Sequence, residues 1–328
     1  MRRRELTILT AALLWCSGTA AAQDAPRTPW GHPDFRGTWT NATLTPLQRA
    51  VELGDKEFYT PEEREAFAQA RRAATSADRP LAPGEVGSYG DVFFERGTGG
   101  VKTGRTSLVI EPRNGRIPAL TPAAQQAVER RTAHMATHPA DRPSDRWLTE
   151  RCILFGATVP MLPEPYNNNY QIFQTPEHVV VLVEMNHDAR IIPLDGATAH
   201  VSAAITQWTG DSRGHFEGDT LVVETRNFKF NEQSRFGVGY LNGLSDENLR
   251  VIERFARTDA DTIMYRASIE DPTVFASPWT VEIPFTPSSG PLFEVGCHEG
   301  NLGLANILSG HRAEERAAAG RTPQGESR

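Results

Sequence analysis

"YQIFQTPEHVVVLVEMNHDARIIPLDG", residues 170–196, predicts three β-strands joined by two short turns. Runs of β-branched, aromatic and other apolar residues at 170–174, 178–185 and 189–194 are separated by "TPE" and "NHD", whose residue types favour turns. The same pattern continues along the chain, with further strands expected at 214–217, 220–226, 248–257, 262–269, 279–285 and 292–297. Sequential hairpins without the spacing of a βαβ unit indicate a mainly β fold. We therefore expect an antiparallel meander that forms a barrel or a strongly curved sheet.

The segment before this β region has a mixed pattern. "TPEEREAFAQARRA" predicts a helix with Thr60 as its N-cap and Glu63 completing a capping box, and "TPAAQQAVERRTAHM" repeats the helix-start signal at Thr121. Between them, "RTSLVIEPRNGRIPAL" predicts a hairpin, because Asn114-Gly115 suits a two-residue turn. After the strands, "NLGLANILSGHRAEERAA" predicts a last helix with Asn301 as its N-cap.

These patterns divide the chain into four parts. We expect a signal peptide at 1–22, a mixed region with two helices and a hairpin packing on the barrel at 23–150, the antiparallel β domain with its C-terminal helix at 151–319, and a disordered tail at 320–328. Strand 178–185 is apolar on both faces, so we expect the helices to cover its outer face.

The first 22 residues have the features of an export signal. Three arginines precede a short apolar stretch, and "AAA" at 20–22 provides small residues before the cleavage point. The apolar stretch is shorter than the roughly 20 residues of a membrane span, so no membrane anchor is expected in the mature form. The arginines leave open whether export follows the general or the twin-arginine route. We expect a periplasmic or secreted protein.

Charge and cysteine content limit the classes of binding partner and the cellular compartment that we expect. The chain has 34 basic and 41 acidic residues, and its basic residues are scattered, which argues against binding to nucleic acid or to an anionic membrane. A small molecule or a neutral polymer is the expected partner. Beyond the signal only Cys152 and Cys297 remain, and an even pair in an exported chain predicts a disulfide. Two unpaired buried thiols are the alternative.

Three stretches of the sequence resemble those of a known protein family. "HDARIIPLDG", "WTGDSRGHFEGDTLVVETRNF" and "CHEGNLGLANILSG" resemble a large family of exported bacterial proteins with no assigned activity. The resemblance covers most of the mature chain and implies an exported protein, but no catalytic residues. In addition, "GTW" at 37–39 followed by a β-meander is similar to lipocalin-like barrels.

The hairpin tip at 184–190 concentrates polar side chains. If the loop is "NHD", Glu184 lies opposite Arg190, and a cross-strand ion pair explains both. Asp188 is an ordinary turn residue. His187 is less readily explained, because a neutral imidazole oriented by Asp188 or Glu184 is suited to acid–base catalysis. A simple turn remains the alternative.

A second cluster, "GCHEGN" at 296–301, follows the last expected strand. His298 and Glu299 would lie beside the disulfide and before a helix start, where free N–H groups bind anions. Helix capping by Glu299 and Asn301 is the alternative. Further candidates for binding a substrate are Arg190, Tyr166, Trp208, Arg213 and Asn301, of which the aromatic side chains offer stacking faces.

Two functional hypotheses follow. The first is an exported enzyme in which His187, His298, Glu299, Glu184 and Asp188 perform acid–base chemistry on a small organic molecule such as a glycoside or an aromatic compound, by elimination, isomerisation or hydrolysis. It requires no organic cofactor, since dinucleotide and phosphate-loop motifs are absent, although a metal held by His187, His298 and Glu299 is possible. The alternative is a periplasmic lipocalin-like carrier whose barrel holds an apolar ligand. The enzyme hypothesis predicts that His187 and His298 face one cavity.

Overall fold

The computed structural model describes residues 25–78, 80–83, 90–154, 158–194, 199–229, 235–236, 241–297 and 302–320. The expected signal peptide and all of the expected tail except Gly320 lie outside these ranges. Within them the protein is mainly β. The strands are β1 (Gly37–Thr40), β2 (Val109–Glu111), β3 (Asn169–Gln174), β4 (His178–Val183), β5 (Ala189–Pro193), β6 (Asp211–Glu217), β7 (Thr220–Arg226), β8 (Arg250–Asp259), β9 (Thr262–Glu270) and β10 (Trp279–Pro287).

These strands form one antiparallel sheet in the order β5-β4-β3-β1-β10-β9-β8-β7-β6. β10 uses one edge for β9, and its other edge is shared by β2 near Thr280 and by β1 near Thr286. The end strands β5 and β6 lie side by side, which makes the sheet a nearly closed barrel. At this seam a Cβ atom on Gly214 would lie 2.9 Å from Cγ2 of Ile192, so glycine allows the close approach.

The barrel interior is filled with large side chains. Tyr170 stacks on Phe285 with 5.4 Å between the ring centroids, and Tyr265 lies 5.1 Å from Phe285 and 5.1 Å from Phe255. Alternating residues of β8 and β9 contribute to this core, as a period of two requires. Each of these four rings is almost completely buried. The chain thus closes its barrel around an aromatic core.

Two strand predictions differ from the structure. Residues 292–297, expected to form a strand, lie outside regular structure. The physical reason is that β1 and β2 already occupy the free edge of β10, so a strand after β10 has no adjacent edge to pair with.

The predicted hairpin around Asn114-Gly115 is also wrong. Its first arm, β2, pairs with β10, and the segment after the turn bonds instead to Gln48 and Arg49.

Three helices accompany the sheet: α1 (Pro61–Thr75), α2 (Pro122–Thr137) and α3 (Gly303–Ala319). The predicted caps of the first two are confirmed, since the hydroxyls of Thr60 and Thr121 accept from backbone N–H groups in the first turn. Thr60 and Glu63 form the complete capping box. The N-cap of α3 is Leu302, whereas the expected cap Asn301 lies outside the described residues. None of the helices in the described ranges is both long and apolar enough to cross a membrane.

The expected cover over the outer face of β4 is not seen among the described residues. Phe173, Val180 and Ile191 form one cross-strand row on this face, and Phe173 and Ile191 are 47% and 62% exposed.

The predicted disulfide is present, with 5.3 Å between the Cα atoms of Cys152 and Cys297. A disulfide indicates folding in an oxidising compartment.

Candidate functional site

The hairpin between β4 and β5 has a different register from the one expected. Asn186 and His187 adopt left-handed backbone conformations, with φ of 65° and 46°, and lengthen the turn. Arg190 consequently pairs with Val181, and Glu184 lies in the loop. The predicted ion pair between Glu184 and Arg190 is therefore wrong. Because the register shift is an odd number of residues, it turns Arg190 toward the barrel interior.

Inside the barrel Arg190 meets Glu253. Nη1 of Arg190 donates to Oε1 of Glu253 at 3.1 Å, and Nη2 donates to Oε2 at 2.5 Å. The hydroxyl of Tyr265 also donates to Glu253, at 2.9 Å, and Ser212 accepts from Arg190 at 3.1 Å. Both charged side chains are at most 2% exposed. Arg190 is therefore a structural cation that joins β5 to β6 and β8, on opposite sides of the seam.

Glu184 belongs to a pair of carboxylates. The Nδ2 atom of Asn169 donates to Glu184 at 2.7 Å and to Glu95 at 3.0 Å, and the backbone N–H of Phe293 donates to Glu184 at 2.9 Å. Partial burial and the neighbouring charge of Glu184 raise the pKa of Glu95. A raised pKa lets Glu95 hold a proton at higher pH than an ordinary glutamate.

The other two candidates of the hairpin tip differ in exposure. His187 is exposed, and its ring makes no hydrogen bond within the described part of the chain. Asp188 is half-buried, and its burial raises the pKa of its carboxyl although a hydrogen bond from Asn186 opposes this. The Oδ2 atom of Asp188 is buried and has no partner in the described ranges. The structure thus places an exposed histidine beside an acid that is partly desolvated.

The second cluster lies outside the described residues. His298, Glu299 and Asn301 lie in the undescribed range 298–301, whereas the first two residues of the cluster are described. The shared cavity of His187 and His298 therefore stays a prediction, as does a metal held by His187, His298 and Glu299. The described chain reaches Cys297, and four residues earlier Phe293 bonds to Glu184.

Each of the four described candidates for substrate binding contacts a different neighbour. Tyr166 is 38% exposed and meets the edge of Phe94 at 6.2 Å between centroids. Trp208 has the ammonium of Lys229 4.9 Å from its ring. Arg213 forms an ion pair with Asp211 at 3.0 Å. Arg190 is buried in the barrel, as described above.

A cleft that the sequence did not indicate lies against the barrel wall. Its volume is about 340 Å³, and we call it the Glu164 cleft after its one acidic lining residue. Arg71 and Thr75 of α1 line one side, residues 43–47 line another, and Phe236 contributes an apolar wall. Phe236 packs edge-on against Trp279 at 5.3 Å, so this wall is continuous with the core.

The buried residue Asn168 fixes the position of Glu164. The Oδ1 atom of Asn168 accepts from the backbone N–H of Glu164 at 2.7 Å, and Nδ2 donates to the carbonyl oxygen of Glu164 at 2.8 Å. The same amide donates to the carbonyl oxygen of Glu95 at 2.9 Å. Upstream, the backbone of Met161 is held by Tyr265 and Asn41 in the core. The cleft loop is therefore attached to the barrel at both ends.

The Glu164 carboxyl is chemically distinctive. Burial raises the pKa of Glu164 to about 7. A group with this pKa exchanges protons efficiently near neutral pH, because both of its forms are populated. Arg71 and Arg96 line the same cleft, and Arg71 makes no ion pair with any described residue. A cleft that contains both an acid–base group and arginine side chains is suited to proton transfer on an anionic or carbonyl-containing molecule.

One cluster has the composition of a metal site. Ligand atoms of Asp141, His311 and Glu315 lie within 4.8 Å of one another. However, Nη2 of Arg312 donates to Asp141 at 3.2 Å and lies 3.1 Å from Glu315. A guanidinium already balances these carboxylates, so the cluster has little need of a metal cation.

Few features of the sequence point to Glu164 and Glu95 as functional residues. Both lie in irregular segments, "MLPEPYNNN" and "FFERGTGG", where no period separates inside from outside. The signal that could have found Glu164 is an acid flanked by prolines next to apolar residues and an asparagine run.

No protein-family model, no curated protein and no solved structure matches this chain.

Proposed function

We propose that this protein is an exported enzyme, periplasmic or secreted, that performs acid–base chemistry on a small organic molecule in the Glu164 cleft. The observation that carries the proposal is the Glu164 carboxyl, with a pKa of about 7, in a cleft that also contains Arg71 and Arg96. The disulfide between Cys152 and Cys297 supports the exported location.

The reaction begins with a proton transfer. Ionised Glu164 takes a proton from a carbon next to a carbonyl group; the electron pair of the broken C–H bond forms a carbon–carbon double bond, and the π pair of the carbonyl group moves to its oxygen. Arg71 and Arg96 stabilise the negative charge that develops there. In elimination the carbonyl group re-forms, the bond between the next carbon and a leaving group breaks, and the leaving group takes the proton from Glu164. In isomerisation the carbonyl group re-forms as Glu164 returns the proton to another carbon. In hydrolysis the same carboxylate would instead activate a water molecule.

His187 is not among the described residues that line this cleft, whereas Glu164, Arg71 and Arg96 are. A role for His187 remains a separate prediction. The carrier alternative requires room for an apolar ligand inside the barrel. The stacked rings of Tyr170, Phe285 and Tyr265 and the Arg190–Glu253 pair occupy that interior, which weighs against it.

The test compares wild type with Glu164→Gln on a panel of aromatic lactones, esters and glycosides, each with and without a carboxylate. We expect wild-type turnover of at least one compound and a loss of about 100-fold or more in kcat/KM in Glu164→Gln, the usual contribution of a positioned acid or base. The wild-type kcat/KM should increase with pH through about 7 as Glu164 ionises.

The matched control is Glu52→Gln, because Glu52 is exposed and makes no side-chain hydrogen bond with any described residue. Its turnover should equal that of wild type. Full activity in Glu164→Gln would contradict the assignment of Glu164. Tight binding of panel compounds without any turnover would instead favour the carrier.

A further inference from the structure

A second cavity, of about 310 Å³, lies beside α2 and is separate from the Glu164 cleft. One face of α2 contributes Arg130, Arg131 and His134, and the following turn contributes Arg142 and Ser144. We call it the arginine pocket. The three arginines are notable because the chain as a whole has seven more acidic than basic residues.

The backbone geometry of the neighbouring loop builds one wall of the pocket. Gly243 has φ of 98°, and a Cβ atom there would lie 2.7 Å from the carbonyl oxygen of Ala127 and 2.7 Å from Cβ of Arg131. Only glycine permits this contact between the loop and α2, because any side chain would meet backbone atoms. The loop thereby closes the pocket against the helix.

The acidic residue of the pocket is already engaged. Asp145 is 3% exposed; it contacts Nε2 of His134 at 3.0 Å and accepts from the backbone N–H of Arg142 at 2.8 Å. Nη2 of Arg131 donates to the carbonyl oxygen of Asp145 at 3.1 Å. Arg130 and Arg142 have exposed side chains and make no ion pair within the described residues. Although burial opposes the shift, His134 and Arg142 lower the pKa of Asp145, and Nη1 of Arg131 lies 3.9 Å from Oδ1 of Asp145. Among the described lining residues the arginines therefore share one carboxylate, and Arg130 has no ion pair with it.

We propose that the arginine pocket binds a small doubly charged oxyanion, either free or as the phosphate group of a small metabolite. The fork of N–H donors on a guanidinium matches the oxygens of phosphate in a bidentate arrangement. Arg130, Arg131 and Arg142 share the single carboxylate of Asp145 among the described lining residues, so the pocket has an excess of positive charge that an anion would balance. This site is independent of the chemistry proposed for Glu164.

The test is isothermal titration of the full chain with inorganic phosphate at constant ionic strength, with chloride as the balancing anion. We expect saturable binding of one phosphate per chain. Arg130→Gln and Arg142→Gln should each weaken it roughly tenfold, because each removes one charge-assisted donor pair. Ser144→Asp, which leaves every arginine in place, should abolish binding by adding a negative charge to the pocket.

Two controls locate the anion. Arg316→Gln removes an exposed arginine of α3, and Arg71→Gln removes the free guanidinium of the Glu164 cleft. Both should bind phosphate as wild type does. Loss of binding in Arg71→Gln would place the anion in the Glu164 cleft and overturn the proposal. Absence of saturable binding, or wild-type affinity in Arg130→Gln, Arg142→Gln and Ser144→Asp, would overturn it as well.

Further titrations identify the source of the anion. Glycerol 3-phosphate that binds as tightly as inorganic phosphate would indicate a phosphorylated metabolite. Binding of inorganic phosphate and sulfate but not of the ester would indicate a free oxyanion. Circular dichroism spectra of the variants should superimpose on that of wild type, since the substituted side chains are exposed.

Discussion

Replacing Glu164 with glutamine should stabilise the protein, by an amount that depends on pH. The pKa of this carboxyl is raised from its ordinary 4.5 to about 7 by burial. At about 1.4 kcal/mol per pKa unit, the folded state loses roughly 3 kcal/mol when the carboxyl ionises. Below about pH 4.5 the carboxyl is protonated in both the folded and the unfolded state, so the substitution has little effect there. As the pH rises toward 7, wild type loses the contribution of the protonated Glu164 carboxyl, and the variant has no such contribution to lose.

The measurement is urea unfolding of wild type and Glu164→Gln, with the disulfide intact, at several values between about pH 4 and pH 8.5. The variant should match wild type near pH 4, exceed it by about half of the full difference near pH 5.7 and by roughly 3 kcal/mol near pH 8. Glu52→Gln should show no such trend, because Glu52 is exposed. A difference that does not change with pH, or a Glu164→Gln variant less stable than wild type near pH 8, would refute the reasoning.

Two further substitutions test the barrel and its crosslink. Arg190→Met leaves the charge of Glu253 buried and unpaired, so urea unfolding should show a loss of about 3–5 kcal/mol in the free energy of unfolding. The double variant with Glu253→Leu should recover most of this loss. An unchanged midpoint for Arg190→Met would show that the pair is not essential. Cys152→Ser with Cys297→Ser opens a loop with a sequence separation of 145, and the chain-entropy model gives a loss of about 5 kcal/mol in the free energy of unfolding. Equal denaturation midpoints for this variant and oxidised wild type would contradict that model.

The period-two pattern was sufficient to predict most strands, because alternation records which face of a strand is buried. It located β3, β7, β9 and β10 to within about two residues, and the cap signals located the starts of α1 and α2. The same pattern failed at 292–297. There the apolar residues predict a strand, although β1 and β2 already occupy the adjacent edge of β10.

Partners across the barrel could not be predicted in the same way. The residue opposite Arg190 depends on the left-handed conformations of Asn186 and His187, which change the register of the hairpin. Its ionic partner, Glu253, is 63 residues away in sequence and on another strand. Local sequence contains no information on which strands face each other after the sheet has curled. The Glu164 cleft is not predictable for a related reason, because its walls come from six separate segments.

The pairing of β1 with β10 has a consequence for how the chain reaches its fold. Strand β1 lies near the start of the described chain and β10 near its end, yet Trp39 and Thr40 are paired with Pro287 and Thr286. Until β10 is available, β1 and β3 lack the strands that link them to β7, β8 and β9. Contacts between such distant segments make folding slow, and unpaired strand edges promote aggregation during the delay. The last third of the chain therefore controls when β1, which also pairs with β3, can gain its second neighbouring strand.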